Sequence, residues 1–146
     1  MDEDLNHFLS HWFQGYMDGL GQLDQADQEK MLAACGLACA KSYTAQCYQE
    51  AWQAANGDLS EFLTQLSKHF PEAKYDQVDE HTIEVRYQYC DCDLVTQGWV
   101  KSALLCRCSL HNLGQNFMAA MGQTVQVKLQ SSILAGDNEC RFEVCI

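Results

Sequence analysis

Apolar side chains within the first twenty residues recur every three or four positions, which is the period of an amphipathic helix. The stripe comprises Leu5, Phe8, Leu9, Trp12, Phe13, Tyr16, Met17 and Leu20. We expect this helix to end near Gly19 or Gly21, because glycine favours helix ends. Such a wide apolar stripe needs cover, so it is predicted to face either the core or a second copy of the chain in a homodimer.

Two more helices are predicted before the chain's only proline. The first starts near Asp24 and ends before the Asn-Gly pair at 56–57. The second starts at Asp58, where Glu61 three residues on gives a capping-box pattern, and Pro71 ends it. The first of these helices carries Met31, Leu32, Cys35, Cys39, Tyr43, Cys47 and Trp52.

After Pro71 the apolar period changes to two, as in strands with one buried face. The alternating positions are Ile83, Val85, Tyr87 and Tyr89, then Val125, Val127 and Leu129, and finally Cys140, Phe142, Val144 and Ile146. Residues 109–122 are predicted to form a helix closed by Gly122, and residues 134–139 form a turn. Because helices precede a mainly antiparallel sheet, with one further helix before its last two strands, we expect an α+β fold.

A chain of 146 residues that is 47% apolar is long enough to bury one core, so we expect a single compact domain. We expect it to span residues 1–146, with 1–70 helical and 75–146 containing the sheet. Nine Lys and Arg stand against twenty Asp and Glu without a basic stripe, which argues against nucleic acid as a partner. No apolar run approaches membrane-spanning length, so we expect no membrane partner either.

Met1 leads directly into DEDLNHFLSHWF, which has neither the basic start nor the continuous apolar run of a secretory signal. We therefore expect a cytoplasmic protein with reduced thiols. The nine cysteines agree, because an odd number leaves at least one without a disulfide partner in the chain. We assign the helix cysteines Cys35, Cys39 and Cys47 to packing, since a free cysteine behaves as a small hydrophobe.

Candidate chemistry is concentrated in residues 89–111, YCDCDLVTQGWVKSALLCRCSLH, where thirteen residues separate two Cys-x-Cys pairs. In an extended chain, Cys90 and Cys92 point the same way. In a helix, Cys106 and Cys108 point to nearly opposite sides, so they converge only if Cys106 precedes the first turn. A zinc site of Cys90, Cys92, Cys106 and Cys108 and a set of packed thiols are equal alternatives, because the ligand number suits zinc but the spacing is unfamiliar.

The catalytic candidates in this segment are Cys106, Cys108 and His111. A helix that begins near the two cysteines favours their thiolates. His111, three residues after Cys108, can assist a thiolate or complete a metal shell; an exposed helix histidine is the alternative. The sequence contains no HExxH, no GxSxG, no phosphate loop and no dinucleotide fingerprint.

Residues 106–144, CRCSLHNLGQNFMAAMGQTVQVKLQSSILAGDNECRFEV, resemble the C-terminal motif of the 4-vinyl-reductase-type small-molecule-binding domain. Cys106, Gly122, Gly136 and Cys140 match that motif in order and spacing. The CDC and CRCS segments, with ACGLACA at 34–40, look more specifically like a bacterial branch described as L-2-amino-thiazoline-4-carboxylic acid hydrolase-like.

The resemblance implies a fold that holds a small ligand between sheet and helices. Aromatic side chains suited to line such a site are Tyr43, Trp52, Tyr87, Trp99 and Phe117. Members of the wider superfamily that bind zinc use a Cys, a Glu and two further Cys. When the outer pair is aligned on Cys106 and Cys140, the middle positions hold Leu129 and Ser132, so that zinc site is not expected in its usual form.

Two functions follow as hypotheses. The first is a small-molecule-binding domain that hydrolyses a cyclic C–N or C–S bond of a thiazoline-like ring, through a thiolate that attacks the C=N carbon or a metal that activates water. The alternative is a non-enzymatic, metal-stabilised or redox-responsive ligand-binding or sensor module. In both, the partner is a small molecule.

Overall fold

The computed structural model describes residues 2–146, and its first half is helical. The elements are α1 (Glu3–Gln22), α2 (Gln25–Cys39), a π-helical turn (Ala40–Thr44), α3 (Ala45–Ala54) and α4 (Leu59–His69). The predicted starts at Asp24 and Asp58 are confirmed, because each carboxylate accepts the backbone N–H three residues on. No helix among residues 2–146 has the length and apolarity that crossing a bilayer requires.

The second half contains a four-stranded antiparallel sheet in the order β1-β2-β4-β3. Its elements are β1 (Ala73–Asp79), β2 (Thr82–Tyr87), α5 (Asp93–Thr96), α6 (Leu105–Met121), β3 (Gln126–Ser131), a short 3-10 turn (Ile133–Ala135) and β4 (Cys140–Cys145). The predicted α+β fold is therefore confirmed. The prediction did not include β1, in which only Ala73 and Tyr75 bury their side chains.

The end of β2 corrects the predicted strand. Its pairing with β4 ends at Tyr87 and Cys140, so the chain leaves the sheet after Tyr87. Tyr89, predicted on the buried face, is instead exposed, and Cys90 and Cys92 lie outside any strand. On β4 the prediction holds, because Cys140, Phe142 and Val144 face the core.

The chain buries two apolar clusters. The larger lies between the sheet and helices α3, α4 and α6, with Tyr48, Phe62 and Phe117 packed edge to face. The smaller joins α1, α2 and the segment before α6, through Met17, Leu20, Leu32, Val100 and Leu105. The C-terminal part of α1 is thus anchored, while Leu5, Phe8 and Trp12 remain 46%, 57% and 52% exposed. The rest of the chain therefore covers the apolar stripe of α1 only near its C-terminal end.

Helices α2 and α6 cross in close contact at Gly36. A Cβ atom there would lie 2.6 Å from the carbonyl oxygen of Cys108 and 2.7 Å from Cβ of His111. Only a hydrogen atom fits in that space. The glycine of the ACGLACA segment therefore sets the distance between α2 and the first turns of α6.

Candidate functional site

Helix α6 begins at Leu105, four residues earlier than predicted, and this fixes the directions of Cys106 and Cys108. Both cysteines lie in its first turns, where residues i and i+2 are about 200° apart. Their thiols therefore diverge, and the four cysteines at 90, 92, 106 and 108 do not form one group. Cys106 and Cys108 therefore lie in different surroundings, while the charge of Cys92 acts on both and that of Cys90 acts on Cys106.

The first group consists of Cys106, Cys140 and Ser132, at the point where α6, β4 and the turn after β3 meet. The Sγ atom of Cys106 lies 2.9 Å from Oγ of Ser132, and the backbone N–H of Ile133 donates to Sγ of Cys140 over 3.4 Å. The two thiols lie near enough to influence each other's ionisation. Cys106 is 6% exposed and Cys140 is 7% exposed. Cys90 lies near enough for its charge to interact with both.

These hydrogen bonds make the two buried thiols unequal. The Cys140 thiol stabilises the Cys106 thiolate, burial opposes ionisation, and Ser132 adds a hydrogen bond; the net effect lowers the pKa of Cys106 to about 7. The interaction with Cys106, together with burial, raises the pKa of Cys140 well above its ordinary value. Near neutral pH, Cys106 is therefore the thiolate and Cys140 keeps its proton.

The second group lies on the α2 side of α6. Burial, with the neighbouring charges of Cys35, Cys39 and Cys92, raises the pKa of Cys108 to about 12, so Cys108 is a neutral thiol. The assignment of Cys35 and Cys39 to packing was wrong, because both are exposed. Their side of α2 is covered only in part by α1, from which the Tyr16 hydroxyl contacts Sγ of Cys35 at 3.8 Å.

His111 is held in a polar bridge between α6 and α2. Its Nε2 lies 2.8 Å from Oε1 of Glu29, and Arg107 donates to Oε2 of the same carboxylate over 2.6 and 2.9 Å. Burial opposes ionisation of Glu29, but the hydrogen bonds of His111 and Arg107 outweigh it and lower the pKa of this carboxyl. Within residues 2–146, His111 makes no hydrogen bond to a thiol. Its catalytic role stays a prediction.

The five aromatic side chains predicted to line a ligand site lie in separate places. Phe117 is fully buried in the larger cluster, and Trp52 is partly buried against it, edge to face with Phe62. Trp99 stacks on Phe13 of α1 at 5.8 Å between ring centroids and donates its Nε1 hydrogen to Asn6. Tyr43 is 61% exposed on the π-helical turn. These positions do not enclose one cavity, so their part in ligand binding remains a prediction.

Tyr87, the last of these aromatics, belongs to a polar cluster that the sequence did not reveal. The hydroxyls of Tyr48 and Tyr75 lie 2.8 Å apart, and Tyr87 lies near enough for its charge to interact with Tyr75. Burial raises the pKa of all three phenols well above the ordinary value. The sequence does not indicate that the three hydroxyls lie close together, because the tyrosines belong to three different elements, α3, β1 and β2.

A second buried polar group joins the π-helical turn to α6. The Thr44 hydroxyl donates to Oδ1 of the buried Asn116 over 3.0 Å and accepts from Asn112 over 3.3 Å. Asn116 in turn donates to Asn112. The two asparagines are four residues apart on one helical face, which is a signal available in the sequence. The sequence gives no such signal for their partner Thr44 on the π-helical turn.

The side chains do not fit a zinc ion as they are arranged. Among residues 2–146, no three His, Cys, Asp or Glu side chains are grouped so that they could hold a metal. Cys106 and Cys108 diverge, and the third member of the Cys106–Cys140 group is the hydroxyl of Ser132, a poor zinc ligand. We therefore route no chemistry through a metal, and zinc binding remains an untested prediction.

A shallow depression of about 200 Å³ opens to solvent beside the first thiol group. It is lined by Leu129, Gln130, Ser131, Ser132, Ala135 and Asp137. Ser132 is shared between the two features, since its Oγ contacts Cys106 and its backbone N–H donates to Asp137 over 2.8 Å. Another depression, of about 220 Å³, lies between α4 and β1, away from the cysteines.

No family model matches the sequence, and no curated protein matches it. Two solved structures are similar in fold. The phenol-responsive sensory domain of the transcription activator PoxR, with phenol, has a TM-score of 0.66 and 15% identity over 96% of this chain and 73% of that chain. A trafficking protein particle complex subunit 3 from Naegleria fowleri, covalently bound to palmitic acid, has a TM-score of 0.55 and 9% identity over 99% and 96%. This chain therefore shares its α+β fold, over nearly its whole length, with both.

Proposed function

We propose that this chain is a small-molecule-binding sensor domain whose ligand binds at the depression beside Ser132 and Cys106. The observation that carries the proposal is the placement of a buried, polarised thiol directly behind that depression. The fold likeness supports it, because the neighbour that aligns over 96% of this chain is a phenol-responsive sensory domain. The proposed function is the binding of a ligand, and it requires no catalysed reaction.

The groups around the depression indicate the ligand's chemistry. The Asp137 carboxylate and the Ser132 hydroxyl oxygen, both on the lining of the depression, are hydrogen-bond acceptors, so they suit a ligand with an O–H or N–H donor. Leu129 and Ala135 offer apolar surface beside them. A volume of about 200 Å³ lies below the range of about 300–1,000 Å³ typical of drug-sized ligands, which favours a one-ring molecule over a long acyl chain.

Thermal unfolding with added phenol, and with toluene as a probe that lacks the donor, tests this proposal. We expect phenol at millimolar concentration to raise the melting temperature more than toluene does. Ser132→Ala should abolish that difference, whereas Ser60→Ala, at the other depression, should preserve it. Equal effects of phenol and toluene, or none, would contradict this proposal, and native mass spectrometry would show any ligand retained from the cell.

A hydrolase of a thiazoline-like ring is the second candidate, and the ionised Cys106 beside a hydroxyl favours it. In that reaction the Cys106 thiolate adds to the C=N carbon, the ring nitrogen takes a proton from water, and the ring C–S bond breaks with its sulfur leaving as a thiol. A water molecule then adds to the same carbon and displaces the Cys106 thiol, so one water is consumed for each ring opened. Incubation with 2-amino-thiazoline-4-carboxylic acid should then open the ring, and Cys106→Ala should abolish turnover that Cys108→Ala retains. Ring opening that survives Cys106→Ala would exclude this route.

A further inference from the structure

His7 and His11 lie one helical turn apart on α1, at an i, i+4 spacing that places both imidazoles on the same side of the helix. Their ring centroids are 4.3 Å apart, and the ring planes are tilted by 51°. Both residues are exposed to solvent. Two imidazoles therefore face solvent side by side, far along the sequence from the cysteine segment.

A hydrogen bond orients the His11 ring. Its Nδ1 atom lies 2.9 Å from the backbone carbonyl oxygen of His7. A carbonyl oxygen only accepts, so Nδ1 carries the hydrogen, and Nε2 of neutral His11 keeps a free lone pair. Histidines that bind metals are commonly held in this way, with one ring nitrogen donating to a backbone carbonyl and the other bound to the metal. The hydrogen bond thus makes Nε2 of His11 available as a ligand.

The distance between the two rings suits one metal ion. When two imidazoles bind a metal at about 2.1 Å, with an angle of about 90–110° between them, their ring centroids lie about 4.6–5.3 Å apart. The observed separation is 4.3 Å, so a small rotation of the His7 side chain reaches that range. Two helix histidines at the same i, i+4 spacing bind zinc in metalloprotease helices with the HExxH motif.

The charge of α1 and its flanks favours a cation. Four carboxylates, Asp2, Glu3, Asp4 and Asp18, lie in this part of the chain, and the first Lys or Arg in the sequence is Lys30. A divalent cation therefore meets a negative field at α1, and no Lys or Arg on the same helix repels it.

We propose that His7 and His11 are a two-imidazole chelate on α1 for a divalent cation of the nickel, copper and zinc group. Imidazole nitrogen suits these metals, whereas carboxylate and carbonyl oxygens suit magnesium, calcium and manganese. Two protein ligands leave the other coordination positions to water, so this is an open, exchangeable site and not a closed structural one. It uses none of the cysteines at 90, 92, 106 and 108, and it does not depend on the ligand proposed for the depression beside Ser132.

Backbone NMR of the full reduced chain, titrated with nickel chloride, tests the chelate. Ni²⁺ is paramagnetic and broadens the signals of nearby amides, so the spectrum shows where the ion binds even though the chain has nine cysteines. We expect substoichiometric Ni²⁺ to broaden first the amides within one turn of His7 and His11. Manganese chloride, a paramagnetic control whose ion prefers oxygen ligands, should not reproduce that pattern.

Single variants show whether both imidazoles bind. His7→Ala and His11→Ala should each weaken Ni²⁺ binding by about tenfold or more, because a lone imidazole loses the gain from two linked ligands. His69→Ala, which removes an exposed histidine from the last turn of α4, is the matched control and should leave binding unchanged.

Three results would overturn the proposal. The first is a wild-type spectrum that micromolar Ni²⁺ leaves unchanged, and the second is broadening centred on the cysteines or on His69. The third is loss of binding in only one of the two variants, since the site would then be a single histidine. The wild-type spectrum decides the location of the ion even if a variant fails to fold.

Discussion

Gly36 of α2 lies so close to Cys108 of α6 that a methyl group on Gly36 would lie 2.6 Å from the Cys108 carbonyl oxygen. Because the obstacle is backbone, the helices must move apart to accept any side chain. This crossing holds the first turns of α6, and with them Cys106, at a fixed place relative to α2.

We therefore predict that Gly36→Ala destabilises the fold by about 1–3 kcal/mol, as overpacking in a core does. Gly21→Ala is the matched control, since Gly21 is also within a helix but its Cβ would make only an ordinary contact of 3.8 Å with the Leu104 side chain. That control should stabilise by up to about 1 kcal/mol through helix propensity. Urea unfolding of both variants measures the difference; similar midpoints would contradict the close crossing.

The sequence predicted some helix starts and strand faces but not others, and the difference has physical reasons. The starts at Asp24 and Asp58 were predictable because a cap depends on residues three apart, and the inner face of β4 because alternation is local. The first turn of α6 was not, since its cap, Leu104, makes no side-chain hydrogen bond. Packing of Leu105 in the smaller cluster accompanies the early start of this helix.

The different surroundings of Cys106 and Cys108 follow from the early start of α6 at Leu105. Whether Cys106 and Cys108 converge or diverge depends on whether the helix includes both, which the spacing alone left open. The contact between Cys106 and Ser132 joins residues 26 positions apart in the sequence, and no local pattern records it. The sequence therefore indicated a segment of the chain but not which of its side chains meet, and the part of that segment in function stays a prediction.

Glu29 gives a prediction about pH. Its pKa is lowered below the ordinary 4.5 by His111 and Arg107, so its stabilising effect is present above about pH 4.5 and is lost as the pH falls through the lowered value. Glu29→Gln should cost at most about 1 kcal/mol at neutral pH, because the bridge is partly exposed. The gap between variant and wild type should shrink as the pH falls below about 4.5. A gap that stays constant with pH would refute the bridge.

Cys140 is predicted to be structural. Its sulfur is buried and accepts the Ile133 N–H, so Cys140→Ser should destabilise by roughly 1–3 kcal/mol through burial of a hydroxyl. Cys145→Ser, on the less buried face of the same strand, is the control and should cost less than half as much. Denaturant midpoints that coincide for the two variants would place Cys140 outside the core.

The alkylation of Cys106 should follow its lowered pKa. We expect the rate with iodoacetamide, resolved by peptide, to rise with a midpoint near pH 7 at Cys106, while Cys108 stays slow up to pH 10. Cys140→Ala removes the thiol that stabilises the thiolate and should move the Cys106 midpoint toward the ordinary value of 9.0. An unmoved midpoint would show that Cys140 does not set the reactivity of Cys106.

The two faces of α1 should respond differently to substitution. Met17 is buried in the smaller cluster, so Met17→Gln should lower the melting temperature, and deletion of residues 1–20 should cause aggregation by uncovering that cluster. Phe8 and Trp12 are exposed, so the double variant Phe8→Gln and Trp12→Gln should lower the melting temperature less than Met17→Gln does.

The same double variant tests the predicted homodimer. Gly15 and Gly19 follow Trp12 along α1 and have open space at their Cβ positions, so an antiparallel second copy can place its Phe8 and Trp12 over them. We expect sedimentation velocity to show a wild-type dimer that the double variant converts to a monomer, while Leu37→Gln, at an exposed position on α2, leaves it intact. A monomeric wild type at high micromolar concentration would show that the exposed part of α1 has no partner in a second copy.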